Sequence, residues 1–196
     1  MKPYQFRKLL HMIACLITVV MLMKSSSWKD TVLSALIAIV LVYPLLSLLE
    51  NKKSYARFFV EKEPGEVKLS LILLFGMLIV LTLIGWGIFD KKYAVLASLL
   101  MWGFGDASAA LIGIPFGKHK VFHKSLEGSL AMFLVSFAMC FIVIKLHGIH
   151  SITTNLLYSV VCALVCTLSE LFSPGEYDTF IVPVVTLVSL LVGKVF

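Results

Sequence analysis

Seven long apolar runs, at about residues 9–23, 31–49, 67–89, 93–113, 129–146, 155–171 and 179–196, set the terms for everything this chain can fold into. A helix needs about 20 apolar residues to cross a bilayer, so seven crossings use roughly 140 residues and leave only short connections. Inside a bilayer each backbone N–H and C=O must find a partner within the protein, which makes such runs helices. Of the 196 residues, 60% are hydrophobic and 14% charged, with a mean hydropathy of +0.99, far too apolar for a soluble domain. The expected fold is therefore an all-α integral membrane protein with about seven transmembrane helices in one bundle, residues 1–196 forming a single multi-pass domain. The first run is short enough to rival a signal peptide, but Met21-Leu22-Met23-Lys24 offers no small-residue cleavage site, so it reads as a retained helix. Pro44 lies within the second run, where membrane helices accept a kink, and Lys24-Ser25-Ser26-Ser27 and Glu63-Pro64-Gly65 mark turns.

The net charge of +6 is spread over short loops rather than gathered in one water-facing patch, which argues against nucleic acid as a partner. Counted by side, 11 Lys and Arg fall with the N-terminus and the loops near residues 50–66, 114–128 and 172–178, and 6 fall on the other side. The positive-inside rule then predicts a cytoplasmic N-terminus and motif loops, with a non-cytoplasmic C-terminus. The 172–178 loop carries no basic residue but has Glu176 and Asp178, an arrangement suited to holding a metal beside a polyphosphate. Cys15, Cys140, Cys162 and Cys166 all lie in apolar runs, as small hydrophobic residues rather than as disulfides or zinc ligands.

Chemistry concentrates between Trp102 and Ser129. Asp106 interrupts an apolar helix, at a depth where a carboxylate needs a partner or a wet cavity. Near-helical spacing puts it on a face with Ala110, Gly113 and Gly117, which serves either a packed helix pair with a structural Asp or a Mg2+ ligand. Gly113 and Gly117 are expected to bracket a tight turn. Lys118, His119, Lys120, His123 and Lys124 follow, as a headgroup-anchoring flank or as an anion site. Ser125 can cap a helix beginning at Leu126, whose free N–H groups and positive end would lie beside Lys124. The ligand most in keeping with Lys, Asp and a helix N-terminus is a polyphosphate with its metal, although no Walker A loop occurs. In the sixth run Cys162, Cys166 and Glu170 recur every four residues, bringing Glu170 to the same membrane face as Glu176 and Asp178. Arg7 and His11 sit four apart at the mouth of the first helix, where snorkelling alone also accounts for them.

The string Gly105-Asp106-Ala107 with Ala110, Gly113 and Gly117-Lys118-His119-Lys120, then Lys124-Ser125-Leu126-Glu127-Gly128-Ser129, resembles the CTP-dependent lipid-alcohol kinases, a family that includes phytol, farnesol and dolichol kinases and a diacylglycerol kinase. Arg7-Lys8-Leu9-Leu10-His11 is similar to that family's opening motif. Glu170, Asp178 and Pro183 match its late Glu and Asp-Asn-x-x-x-Pro element, with Thr179 where the family often has Asn. The resemblance implies transfer of the γ-phosphoryl group of CTP to the hydroxyl of a membrane lipid alcohol, of polyprenol or phytol type or diacylglycerol. It makes Asp106, Lys124, Glu127 and Glu170 the catalytic candidates, with Glu127 or Glu170 as the base. Gly113, Gly117, Lys118, Lys120, Ser125, Gly128, Ser129, Arg7 and His11 are the candidates for binding the nucleotide, and Asp106, Asp178 and Glu170 for Mg2+. Phosphatidate cytidylyltransferases share an Asp-bearing helix and a Lys-x-x-Glu-Gly string, but their late glycine and Asp signature has no counterpart in Ser173-Pro174-Gly175-Glu176-Tyr177-Asp178. A non-catalytic transporter or scaffold needs only the packing explanation of each motif.

Overall fold

A computed structural model describes residues 3–50, 65–122, 124–147, 151–173 and 177–196. Among them the chain forms seven helices: α1 Pro3–Lys24, α2 Trp28–Leu49, α3 Glu66–Leu81 continued by a π-helical stretch Thr82–Ile88, α4 Lys92–Phe116, α5 Leu126–His147, α6 Ile152–Phe172 and α7 Asp178–Val192. The first six are long and apolar enough to cross a membrane, the all-α bundle the apolar runs predict. The seventh differs. The run 179–196 forms only 15 helical residues, because the helix stops at Gly193.

Polar residues extend the helices beyond the apolar runs. α2 starts with a capping box in which Ser27 Oγ accepts from Asp30 N–H (3.3 Å) and Asp30 Oδ2 accepts from Ser27 N–H (2.8 Å). α1 begins at Pro3 rather than near residue 9, so Arg7, Lys8 and His11 lie within the helix and not in a flank before it. Pro44 is accommodated inside α2. Glu63 and Pro64 of the expected turn lie outside the described residues, but Gly65 precedes α3 with φ of +86°, a conformation that favours glycine.

The centre of the bundle is α4, which packs against α1, the π-helical stretch, α5, α6 and α7, while α2 lies outermost on α3. Small residues let neighbours approach α4 closely. A Cβ on Gly103 would stand 2.2 Å from Cys15 Sγ, and one on Gly105 would stand 2.5 Å from Ser136 Oγ. Trp102, Leu99 and Met101 of α4 join Leu78, Leu81, Met132, Leu187 and Leu190 in the core. Leu33, Ile37, Val40, Leu41 and Leu48 of α2 are exposed, as lipid-facing side chains are. All four cysteines are free and buried, as their apolar surroundings predict.

Candidate functional site

Because successive helices run in opposite directions, one end of the bundle collects the starts of α1, α3, α5 and α7 and the ends of α2, α4 and α6. The candidate residues gather there. On α1, Lys8 and His11 are three residues apart and so share a face, and that face lies on α4. Lys8 Nζ donates to Asp106 Oδ2 at 2.6 Å, and His11 Nε2 stands 3.5 Å from the same oxygen. The His11 ring meets Trp102, one turn before Asp106, edge-on at 4.5 Å, and Cys15 Sγ reaches Leu99 O at 3.4 Å. Three contacts at matching helical spacing thus fix the register of α1 on α4.

Between α4 and α5 the chain turns through a small antiparallel hairpin, β1 Lys120–Val121 and β2 Lys124–Ser125, where a plain loop was expected. Phe122 at its tip has φ of +53°, and its ring lies 5.6 Å from that of Phe172 at the end of α6. Ser125 Oγ accepts from Gly128 N–H at 3.2 Å, so the expected cap of α5 is present. Next to it, the Lys124 ammonium pairs with the Glu170 carboxylate and donates to the Glu170 carbonyl at 2.8 Å. Glu170 is 3% exposed and its Oε2 has no hydrogen-bond partner among the described residues. Asp178, in the first turn of α7, lies within electrostatic reach of the pairs: the charges of Asp106, Lys8 and Lys124 act on it, and its own acts on Glu170. Two of the three carboxylates are paired with lysines, in a largely desolvated place where an uncompensated charge is costly.

The residues nominated by sequence divide. Asp106, His11, Lys124, Ser125, Glu170 and Asp178 come together, joined by Lys8 and Trp102, which sequence reasoning did not nominate as site residues. Arg7 turns instead to Glu66 at the start of α3, at 2.8 Å. Glu127 faces the hairpin, with its carboxylate accepting from His119 N–H at 3.2 Å and lying 2.8 Å from His119 Nδ1. Lys118 and Lys120 are exposed, and among the described residues neither forms an ion pair with the cluster.

Gly113 and Gly117 do not bracket a turn: Gly113 lies within α4 and Gly117 caps its end, so the chain reverses only after Gly117. A Cβ on Gly113 would stand 2.7 Å from Ser125 Oγ, one on Gly117 2.6 Å from the same atom, and one on Gly128 2.8 Å from Ala109 O. Their visible role is to let α5 close on α4. The Ser129 hydroxyl is buried and has no partner among the described residues. His123 and Glu176 lie outside the described residues.

Among the described residues no three His, Cys, Asp or Glu side chains form a ready metal-holding group, and lysines pair with Asp106 and Glu170. The donor chemistry nonetheless suits a hard cation, with three carboxylates in one electrostatic cluster and one buried carboxylate oxygen unpartnered. No family model matches the chain, and no curated protein or solved structure matches it either.

Proposed function

We propose that this chain is a CTP-dependent lipid kinase that phosphorylates the hydroxyl of a membrane lipid alcohol of polyprenol or phytol type, or diacylglycerol. The observation that carries the reading is the pairing of two lysines with two buried carboxylates beside the capped start of α5. Such pairs hold anion-binding and cation-binding groups together in mutually neutral form. A polyphosphate takes the lysines, and the carboxylates are then released to other work. Lys8, Lys124 and the N–H groups at the start of α5 bind phosphate oxygens, and His11 supports Asp106 from the side. Asp106, Asp178 and Glu170 are the groups to hold Mg2+, which supplies charge neutralisation on the transferring phosphoryl oxygens.

In the reaction the acceptor hydroxyl oxygen forms a bond to the γ-phosphorus, the bond from that phosphorus to the β,γ-bridging oxygen breaks, and CDP leaves. The hydroxyl proton passes to a carboxylate. Glu170 Oε2 suits that role better than Glu127, which is engaged with His119. The excess of basic residues supports a cytoplasmic location for this end of the bundle, and in this reading the acceptor reaches it from the bilayer.

The test is incubation of the purified chain with γ-labelled CTP, Mg2+ and a panel of lipid alcohols. Labelled lipid and CDP are expected, with Asp106→Asn lowering the rate by about 100-fold or more while the protein stays folded. Label appearing in pyrophosphate with phosphatidate as acceptor overturns the reading in favour of cytidylyl transfer. Absence of both reactions in folded protein points to a transporter or scaffold.

A further inference from the structure

The antiparallel register of α5 and α6 is fixed midway along the two helices, where Ser136 Oγ meets Cys166 Sγ at 3.8 Å and Cys140 lies against Cys162. Each of these pairs joins residues equally spaced from the other, so the two helices stay level along this stretch. Seven residues are close to two full turns of an α-helix and return to the same face. Two turns from Ser136 toward the charged cluster lies Ser129, and two turns from Cys166 in the same direction lies Ser173. The two serines therefore stand at one level on the inner side of the α5–α6 seam, next to Glu170, whose carbonyl accepts from the Ser173 N–H at 3.3 Å.

Ser129 Oγ, Ser173 Oγ and Glu170 Oε2 are all buried, and none has a hydrogen-bond partner among the described residues. A buried polar group without a partner is expensive, and three at one level point to a ligand that supplies the missing bonds. Its chemistry follows from theirs. The carboxylate oxygen only accepts, so it requires a donor, while each serine hydroxyl both donates and accepts. A phosphate offers mainly acceptors at neutral pH, and its negative charge is repelled by an ionised Glu170. A neutral hydroxyl donates one bond and accepts two, matching this set of groups. We propose that Ser129, Ser173 and Glu170 Oε2 form the head-group site for the acceptor alcohol, so that Ser129 positions the acceptor rather than the nucleotide. This deepens the kinase reading and rests on it for the fate of the bound hydroxyl.

The test is thermal unfolding of the purified chain in detergent, without nucleotide, in the presence of geranylgeraniol or its methyl ether, which keeps the chain and removes the donor. The alcohol is expected to raise the Tm and the ether to leave it unmoved. Ser129→Ala and Ser173→Ala are each expected to fold with unchanged or higher basal Tm, because an unpartnered hydroxyl is removed, and to weaken alcohol binding about tenfold. Ser173→Thr, which keeps the hydroxyl, is expected to retain the preference for alcohol over ether.

Equal stabilisation by alcohol and ether, no stabilisation by either, or an undiminished alcohol effect in both alanine variants overturns the assignment. The two readings fail separately. Alcohol-specific binding without phosphoryl transfer removes the kinase and leaves the site, whereas transfer with an unchanged KM for the alcohol in both alanine variants removes the site and leaves the kinase.

Discussion

Lys8 and Asp106 are 98 residues apart in sequence and 2.6 Å apart in space. The sequence marks Asp106 as a carboxylate in need of a cation, but which cation depends on which helix packs against α4, and hydropathy carries no such information. Lys8 thus stands in sequence as a topology charge and a member of the N-terminal motif, without a named role. Trp102 carries no role in the sequence for a similar reason, since an aromatic residue in an apolar helix is ordinary until His11 of a neighbouring helix lies against it. Lys124 and Ser125 were legible because cap and anion site are both local in sequence. The pairing of Lys124 with Glu170 gives a stability prediction. Lys124→Ala leaves a buried carboxylate uncompensated and is expected to cost about 3–5 kcal/mol, whereas adding Glu170→Gln recovers most of the loss. Thermal unfolding of the single and double variants in one detergent checks this, and additive losses would count against a buried pair.

At the level of elements, the seven helices among the described residues are readable because each apolar run is long enough to form one, and six of them are long enough to cross a membrane. Their ends were less so, because capping and amphipathic turns carry helix into polar sequence, as Ser27 and the first turns of α1 do. The hairpin 120–125 was illegible, since two strands of two residues have no periodicity to detect. The glycines next to it were read for a turn and a nucleotide, whereas Gly128 brings α5 onto α4. Gly128→Ala is expected to destabilise by about 1–3 kcal/mol, because its Cβ would press on the Ala109 carbonyl at 2.8 Å. Gly76→Ala, with open space around it, serves as the contrast and is expected to be neutral or slightly stabilising. Paired denaturation curves of the two variants decide the matter, and an equal response of both would exclude a special closeness of α4 and α5.

For the whole molecule, the seven crossings that the apolar runs predict would put the two ends of the chain on opposite membrane faces; six of the described helices are long and apolar enough to cross. A reporter fused after Phe196 is expected to be active only on the non-cytoplasmic side, and one fused to the N-terminus only in the cytoplasm; matching locations would break the grouping of motif loops at one end. α7 adds a further constraint. Its 15 residues cover about 22 Å, against about 30 Å of hydrocarbon in a typical bilayer. Such mismatch is relieved by thinning the surrounding lipid or by drawing headgroups and water inward along the short helix. Because Asp178 opens that helix, a crossing by α7 would couple acyl-chain length in the host membrane to the charged cluster, with thick bilayers expected to load it and thin ones to relieve it.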